Sequence, residues 1–168
     1  MKKLHALPLL LCALTFAGCG KKEEASTASA PAAAPAAPAA PAAAMIEITA
    51  NDSMKFSQTR FEVAAGQEVK ITFTNMGTMP KVAMGHNLII LKKDTDLKAF
   101  TDAAVMAVAT DYVPAAKADQ IIAHTKLLGP KQSEELTFKA PAEAGEYPFI
   151  CSFPAHYLSG MKGVMVVK

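Results

Sequence analysis

The chain is short of cysteine, of surplus charge and of long apolar runs. Of its three cysteines, Cys12 and Cys19 fall within the first nineteen residues, so residues 45–168 carry Cys151 alone. A domain with one cysteine has no internal disulfide, and its thiol is left for packing or for binding a soft metal. The formal charge of the whole chain is +2, from 17 Lys plus Arg against 15 Asp plus Glu. Lys2, Lys3, Lys21, Lys22, Glu23 and Glu24 all precede residue 45, so the remainder is balanced at 13 of each sign. A neutral domain has no electrostatic footprint for nucleic acid. The N-terminal apolar stretch, Leu4 to Phe16, is too short to span a bilayer.

That stretch follows Lys2 and Lys3 and ends in Phe16-Ala17-Gly18-Cys19, the layout of a signal peptide over residues 1–18. Small residues just before a cysteine resemble the bacterial lipoprotein processing site, where the cysteine is lipidated and becomes the new N-terminus. The plain alternative is ordinary secretory cleavage, with Cys19 as a free thiol. Residues 20–44 are almost wholly Ala and Pro after Glu24, with Pro31, Pro35, Pro38 and Pro41 spaced along them. They hold no large apolar side chain to offset the entropy of ordering, and proline interrupts the helix that alanine favours. Residues 19–44 therefore read as a lipidated cysteine and an extended tether, reaching roughly 75 Å at about 3.1 Å per residue. Residues 45–168 have the length of one domain with a single core.

The chemistry concentrates near the C-terminus, in Cys151-Ser152-Phe153-Pro154-Ala155-His156-Tyr157-Leu158-Ser159-Gly160-Met161. A thiol, an imidazole and a thioether share one short loop between the apolar runs Tyr147–Ile150 and Gly163–Val167. Two strands joined by such a loop can aim all three at one centre. This donor set suits copper, whose blue electron-transfer sites combine two His and one Cys with a weak, distant Met. The second imidazole is available in Met84-Gly85-His86-Asn87, which leads into the strand-like run Leu88-Ile89-Ile90-Leu91. Singly, each of these residues is an ordinary core side chain; their conjunction is the specific signal.

Taken with Asn51-Asp52-Ser53-Met54-Lys55-Phe56, Ile122-Ala123-His124-Thr125-Lys126-Leu127 and Met161-Lys162-Gly163, these motifs make residues 45–168 resemble the small blue copper proteins, the cupredoxins, and among them the azurins. The resemblance implies one type 1 copper, with His86, Cys151 and His156 as equatorial ligands and Met161 as the axial one. It adds the Gly85 carbonyl as a further candidate and gives Asn87 the role of tying the ligand loops together. Met54, Met79 and Met84 match an apolar docking patch around the loop histidine, ordinary core filling being the alternative. Two departures stand out. Four residues, Tyr157 to Gly160, separate His156 from Met161 where azurins have three, a spacing similar to that of the auracyanins. The disulfide that azurins carry near their start has no counterpart here. The resemblance places His124 on the surface, away from the copper.

The rest of the domain reads as strand. Ile46, Ile48 and Ala50 alternate with polar residues, as do Val69, Ile71 and Phe73, and then Leu136 and Phe138. Turn signals at Ala65-Gly66 and Glu143-Ala144-Gly145 suggest an antiparallel sandwich. The resemblance sharpens this to an all-β, eight-stranded Greek-key β-sandwich. Asp94 to Ala109 breaks the pattern, placing Leu97, Phe100, Ala104 and Val108 at helical spacing, with Asp94 or Asp96 as cap and Pro114 beyond the end. It predicts an inserted helical flap of about three turns.

The function these features imply is that of an electron carrier rather than an enzyme, attached to a membrane of the bacterial cell envelope by its lipid. Its partners would be redox proteins such as c-type cytochromes or copper and haem reductases and oxidases. Gly20 is not the Asp associated with inner-membrane retention, which favours the outer membrane. A copper reductase would need a second histidine set, which His124 alone does not supply. A copper-delivery or copper-binding protein without an electron-transfer role is the alternative; such a protein wants an open, exchangeable site. Mass spectrometry of the mature N-terminus decides the attachment. Lipidated Cys19 is expected, and Cys19→Ala should abolish it; an unmodified terminus or cleavage elsewhere would overturn the lipoprotein reading.

Overall fold

A computed structural model describes residues 42–168. The signal segment, Cys19 and nearly all of the tether lie outside the described residues. The described part consists of two packed sheets. The first contains β1 (Ala44–Asn51), β2 (Lys55–Phe56), β4 (Glu68–Asn75) and β7 (Ser133–Lys139), in the order β2-β1-β4-β7. The second contains β3 (Arg60–Val63), β5 (Ile89–Leu91), β6 (Ile121–His124), β8 (Gly145–Ile150) and β9 (Lys162–Val167), in the order β3-β9-β8-β5-β6.

Side-chain alternation sets the faces. Val69, Ile71 and Phe73 of β4 are fully buried while Lys70, Thr72 and Thr74 between them are not, so one face meets the core and the other meets water. Gly163, Met165 and Val167 do the same on β9. Strand β5 differs because both of its faces are covered. Leu88 and Ile90 join the main core, whereas Ile89 and Leu91 join a small cluster with Phe100 and Ile150 on the opposite face. A strand covered on both sides reads as an uninterrupted apolar run, which is how Leu88 to Leu91 appears in the sequence.

The cover over that second face is the flap. Helix α2 spans Leu97–Val105, and its cap is Asp96, whose carboxylate accepts from the Ala99 N–H at 3.0 Å. Phe100 and Ala104 are buried and Leu97 packs beside them. The helix is shorter than the sequence spacing predicts. The Met106 and Ala107 N–H groups bond back to Ala103 and Ala104, which tightens the last turn. Val108 then falls in a separate 3₁₀ turn and is 62% exposed, so it drops out of the buried stripe. A one-turn helix, α1 (Lys81–Met84), lies on the way into β5. No helix among the described residues is long and apolar enough to cross a membrane.

Nine strands are present among the described residues where the resemblance implies eight, and the chain changes sheets at Ser57–Thr59. There the chain passes from one sheet to the other: the Ser57 N–H donates to Thr49 of β1, and the Thr59 carbonyl accepts from Val164 of β9. β2 and β3 thus flank this crossing, one in each sheet. The sheets are also mixed rather than wholly antiparallel, because β1 pairs with β4 and β3 with β9 in parallel.

Phe149 fills the centre. Its ring stacks on Phe61 with centroids 5.5 Å apart and meets Phe56 at 5.4 Å. Gly163 gives it space, since a Cβ there would lie 2.2 Å from Phe149 Cζ and 2.6 Å from the Thr59 carbonyl oxygen. Gly163→Ala should therefore destabilise the domain by about 1–3 kcal/mol through overpacking, read as a lower midpoint in urea unfolding; an unchanged midpoint would show that the aromatic cluster can move aside.

Candidate metal centre

Two segments at one end of the sandwich build the centre. The first follows α1, whose single turn is closed by the Ala83 and Met84 N–H groups on the Pro80 carbonyl. Gly85 ends that turn, and its lack of a side chain is needed. A Cβ would meet the Lys81 carbonyl at 2.7 Å and Leu127 Cγ at 2.8 Å. His86 comes next. Its N–H and carbonyl form a two-bond bridge with Leu128, at 3.1 and 2.8 Å, before β5 begins. The ring is thus carried on backbone pinned from both sides.

The second segment is the loop between β8 and β9. Its base is closed by the Cys151 N–H on the Met161 carbonyl, at 3.2 Å. Within it the His156 N–H bonds Phe153, Ser159 bonds Ala155, and the Met161 N–H bonds the His156 carbonyl at 3.0 Å. Ala155 and Gly160 take left-handed backbone, φ 67° and 91°. The result is a compact double turn that brings His156 to Cys151 and closes on Met161 at its base.

His86, Cys151 and His156 come together there, with one ligand atom from each lying within 4.8 Å of the others. His86 and Cys151 are fully buried and His156 is 2% exposed. Cys151 Sγ lies 3.4 Å from His156 Nδ1, and the two imidazole centroids are 4.9 Å apart. Among the described residues neither nitrogen of His86 makes a hydrogen bond of good geometry, the Asn51 backbone giving only partial support that opposes the effect of burial. Burial pushes the Cys151 thiol up to about 12. Burial, helped by the neighbouring His86, lowers His156 to about 4, and burial lowers His86 as well. All three groups are therefore neutral at neutral pH, which is the form in which imidazole binds metal. An imidazole with a poorly satisfied nitrogen, buried beside a thiol and a second imidazole, is costly unless something binds it. A soft divalent ion fits, since it would replace the thiol proton and satisfy the open nitrogen. Met161 is fully buried at the base of the same loop.

Residues 42–168 match the family model for copper-binding proteins of the plastocyanin/azurin family. The chain belongs to this family. It is a blue copper cupredoxin, and its cofactor is a single copper ion. An azurin from Alcaligenes faecalis is 36% identical over 123 residues, which cover 71% of this chain and 94% of the azurin. Outer membrane protein H.8 of Neisseria meningitidis is 41% identical over 111 residues, covering 65% of this chain and 60% of that protein. The crystal structure of dithionite-reduced auracyanin from Roseiflexus castenholzii superposes with a TM-score of 0.67 at 41% identity, over 76% of this chain and 99% of the auracyanin.

Within this cupredoxin, Asn87 joins the two segments. Its Oδ1 accepts from the Ser152 N–H at 2.9 Å, and its Nδ2 donates to Ser152 Oγ at 2.8 Å and to the Asp111 carbonyl at 3.1 Å. His124 sits exposed at the end of edge strand β6, outside the cluster. The three methionines separate: Met79 is 41% exposed, whereas Met54 and Met84 are half-buried and Met54 packs against the main core. More exposed apolar side chains at this end are Val82 and Leu158, at 88% and 81%.

Several supporting residues escape the sequence reading. The Ser152 hydroxyl donates to the Tyr112 carbonyl at 2.7 Å, so the stretch after the flap holds both ligand segments. Asp111 and Tyr112 adopt consecutive left-handed φ values of 55° and 62°, unusual outside glycine and maintained by these bonds. Thr125 is fully buried, and its hydroxyl accepts from the Leu88 N–H at 3.0 Å. The sequence signal for this frame is weak: Asn87 and Ser152 each adjoin a ligand candidate, but nothing marks residues 111 and 112. Asn87→Ala would strand a buried Ser152 N–H. A loss of about 1–3 kcal/mol is expected, measured by urea unfolding of the metal-free protein, and a loss well under 1 kcal/mol would mean that water replaces the amide.

Proposed function

We propose that this cupredoxin is a one-electron carrier of the bacterial cell envelope, held to a membrane by a lipid on Cys19. His86, Cys151, His156 and Met161 would hold its copper, with the Gly85 carbonyl as an additional neighbour. The observation that carries this reading is the closed, buried cluster of one thiol and two imidazoles on a hydrogen-bonded frame. Copper supplies the electron chemistry by moving between two oxidation states.

The chain's contribution is to keep the donors still. His86 is fixed by its bridge to Leu128, Cys151 by its bond to Met161, and the two segments by Asn87 and Ser152. Donors that cannot relax need little reorganisation when the charge at the site changes. The same enclosure argues against copper delivery, which calls for ligands within reach of a partner.

The relatives support the reading. The Roseiflexus auracyanin was crystallised after reduction with dithionite, and auracyanin A of Chloroflexus aurantiacus is described as a "blue" copper protein. The name of the Neisseria relative, outer membrane protein H.8, supports an envelope location and favours the outer membrane. Redox partners, including c-type cytochromes and copper or haem reductases and oxidases, would approach the His156 side, where the resemblance places a docking patch of Met54, Met79 and Met84; of these Met79 is exposed and the other two half-buried.

Titration with one equivalent of Cu(II) tests the assignment. An intense visible thiolate-to-copper band is expected. Cys151→Ser should abolish it, His86→Ala should lose the native spectrum, and His124→Ala should leave the spectrum unchanged. A colourless copper complex of the native protein would overturn the carrier reading.

A further inference from the structure

The loop that carries His156 and Met161 is largely self-contained. Among the described residues, the hydrogen bonds reaching residues 154–160 come from within residues 151–162, with one exception. Lys55 of β2, 104 positions earlier in the chain, donates from Nζ to the Ser159 carbonyl at 2.5 Å. The neighbouring Gly160 makes room for it: a Cβ at that position would lie 2.8 Å from the ammonium. Lys55 forms no salt bridge with a carboxylate among the described residues, so the carbonyl is its recorded partner.

Lys55 is also connected to the other ligand segment. It pairs with Asn51 across the β1–β2 turn. The next residue, Asp52, accepts from the Thr78 N–H and hydroxyl, both at 2.8 Å, and weakly from the Met79 N–H. The Thr78 N–H bond holds the Asp52 carboxyl below its ordinary range. Thr78 and Met79 lead directly into α1 and His86. One short turn between β1 and β2 therefore reaches the His86 side through a carboxylate and the His156 side through an ammonium.

We propose that Lys55 is a positioning residue for the copper-ligand loop, holding the Tyr157–Gly160 turn against the β1–β2 turn. The identity of the metal rests on the function proposed above; the clamp itself does not. An ammonium hydrogen-bonded to a carbonyl is stronger than a neutral pair, although its exposure to solvent reduces its contribution. Its charge also matters near a copper ion, because a nearby cation disfavours the more highly charged oxidation state.

The test compares Lys55→Met, which keeps the aliphatic stem, with Lys55→Arg, which keeps charge and donor. In the metal-free protein, amide exchange at Ser159, Gly160 and Met161 should quicken by about tenfold in Lys55→Met, reporting local opening of the loop. Lys55→Arg should restore it. In the copper-loaded protein the reduction potential should fall in Lys55→Met and recover in Lys55→Arg. Unchanged exchange at the three amides overturns the proposal, even if the potential falls, since the effect of Lys55 would then be electrostatic alone. Exchange that quickens equally in β4 and β9 also overturns it, because that reports general destabilisation. The exchange experiment needs no metal, so its failure is distinguishable from a failure of the copper assignment, which the visible spectrum decides.

Discussion

The structure depends on burying a thiol and two imidazoles side by side while leaving the His86 nitrogens poorly satisfied among the described residues. Cys151, His86 and His156 lie at the end of an apolar core, and desolvation moves all three toward their neutral forms. An unpaired polar group in such a place costs on the order of 1–3 kcal/mol. Such an arrangement persists only where the surrounding backbone leaves the side chains no alternative. The frame around the site meets that requirement. The bridge from His86 to Leu128, the closure of Cys151 on Met161 and the Asn87–Ser152 link each constrain a candidate ligand through its main chain or a neighbour rather than through its own ring or sulfur. The donor atoms are left free for the metal while the chain that carries them is held.

The flap serves this frame. Helix α2 covers the outer face of β5 and β8 through Phe100 and Leu97, which lets β5 be apolar on both sides. The chain leaving it turns through Asp111 and Tyr112, whose carbonyls receive Asn87 and Ser152. Tyr112 then meets the Phe153 ring at 5.1 Å, and Phe153 meets His156 at 4.7 Å. An element that reads as a simple insertion thus supplies both the lid of a small core and two acceptors for the site. Left-handed backbone at two non-glycine residues is the local cost, typically 1–3 kcal/mol or so each, and it is met by contacts from Asn87 and from the Ser152–Phe153 loop.

Much of this was legible in the sequence because it rests on periodicity or on rare residue types. Alternation in β1, β4 and β7 gives strands with one wet face, and the run Leu88 to Leu91 gives a strand covered on both sides. One cysteine sharing a loop with a histidine and a methionine marks the site, and the spacing of Leu97, Phe100 and Ala104 marks the flap. What was not legible depends on partners far away in the chain. The sheet switch at Ser57–Thr59 is defined by Thr49 and Val164. The parallel pairing of β1 with β4 leaves no trace in the alternation of either strand. The early end of α2 follows from the 3₁₀ bonds at Met106 and Ala107, and the roles of Asp111 and Tyr112 reside in their carbonyls, which carry no residue-type signal.

Four residues separate His156 from Met161, and the bonds show how the loop holds its two ends. Met161 makes two backbone contacts, receiving the Cys151 N–H on its carbonyl and donating to His156. Between the two ends the chain turns at Tyr157–Gly160, where the Gly160 N–H bonds Tyr157 and φ of 91° turns it back. Tyr157 packs against the cluster under α2, and its ring lies 5.0 Å from the Lys162 ammonium. The turn is therefore held by Tyr157 on one side and by the Lys55 bond to the Ser159 carbonyl on the other, between candidate-ligand ends that β8 and β9 set.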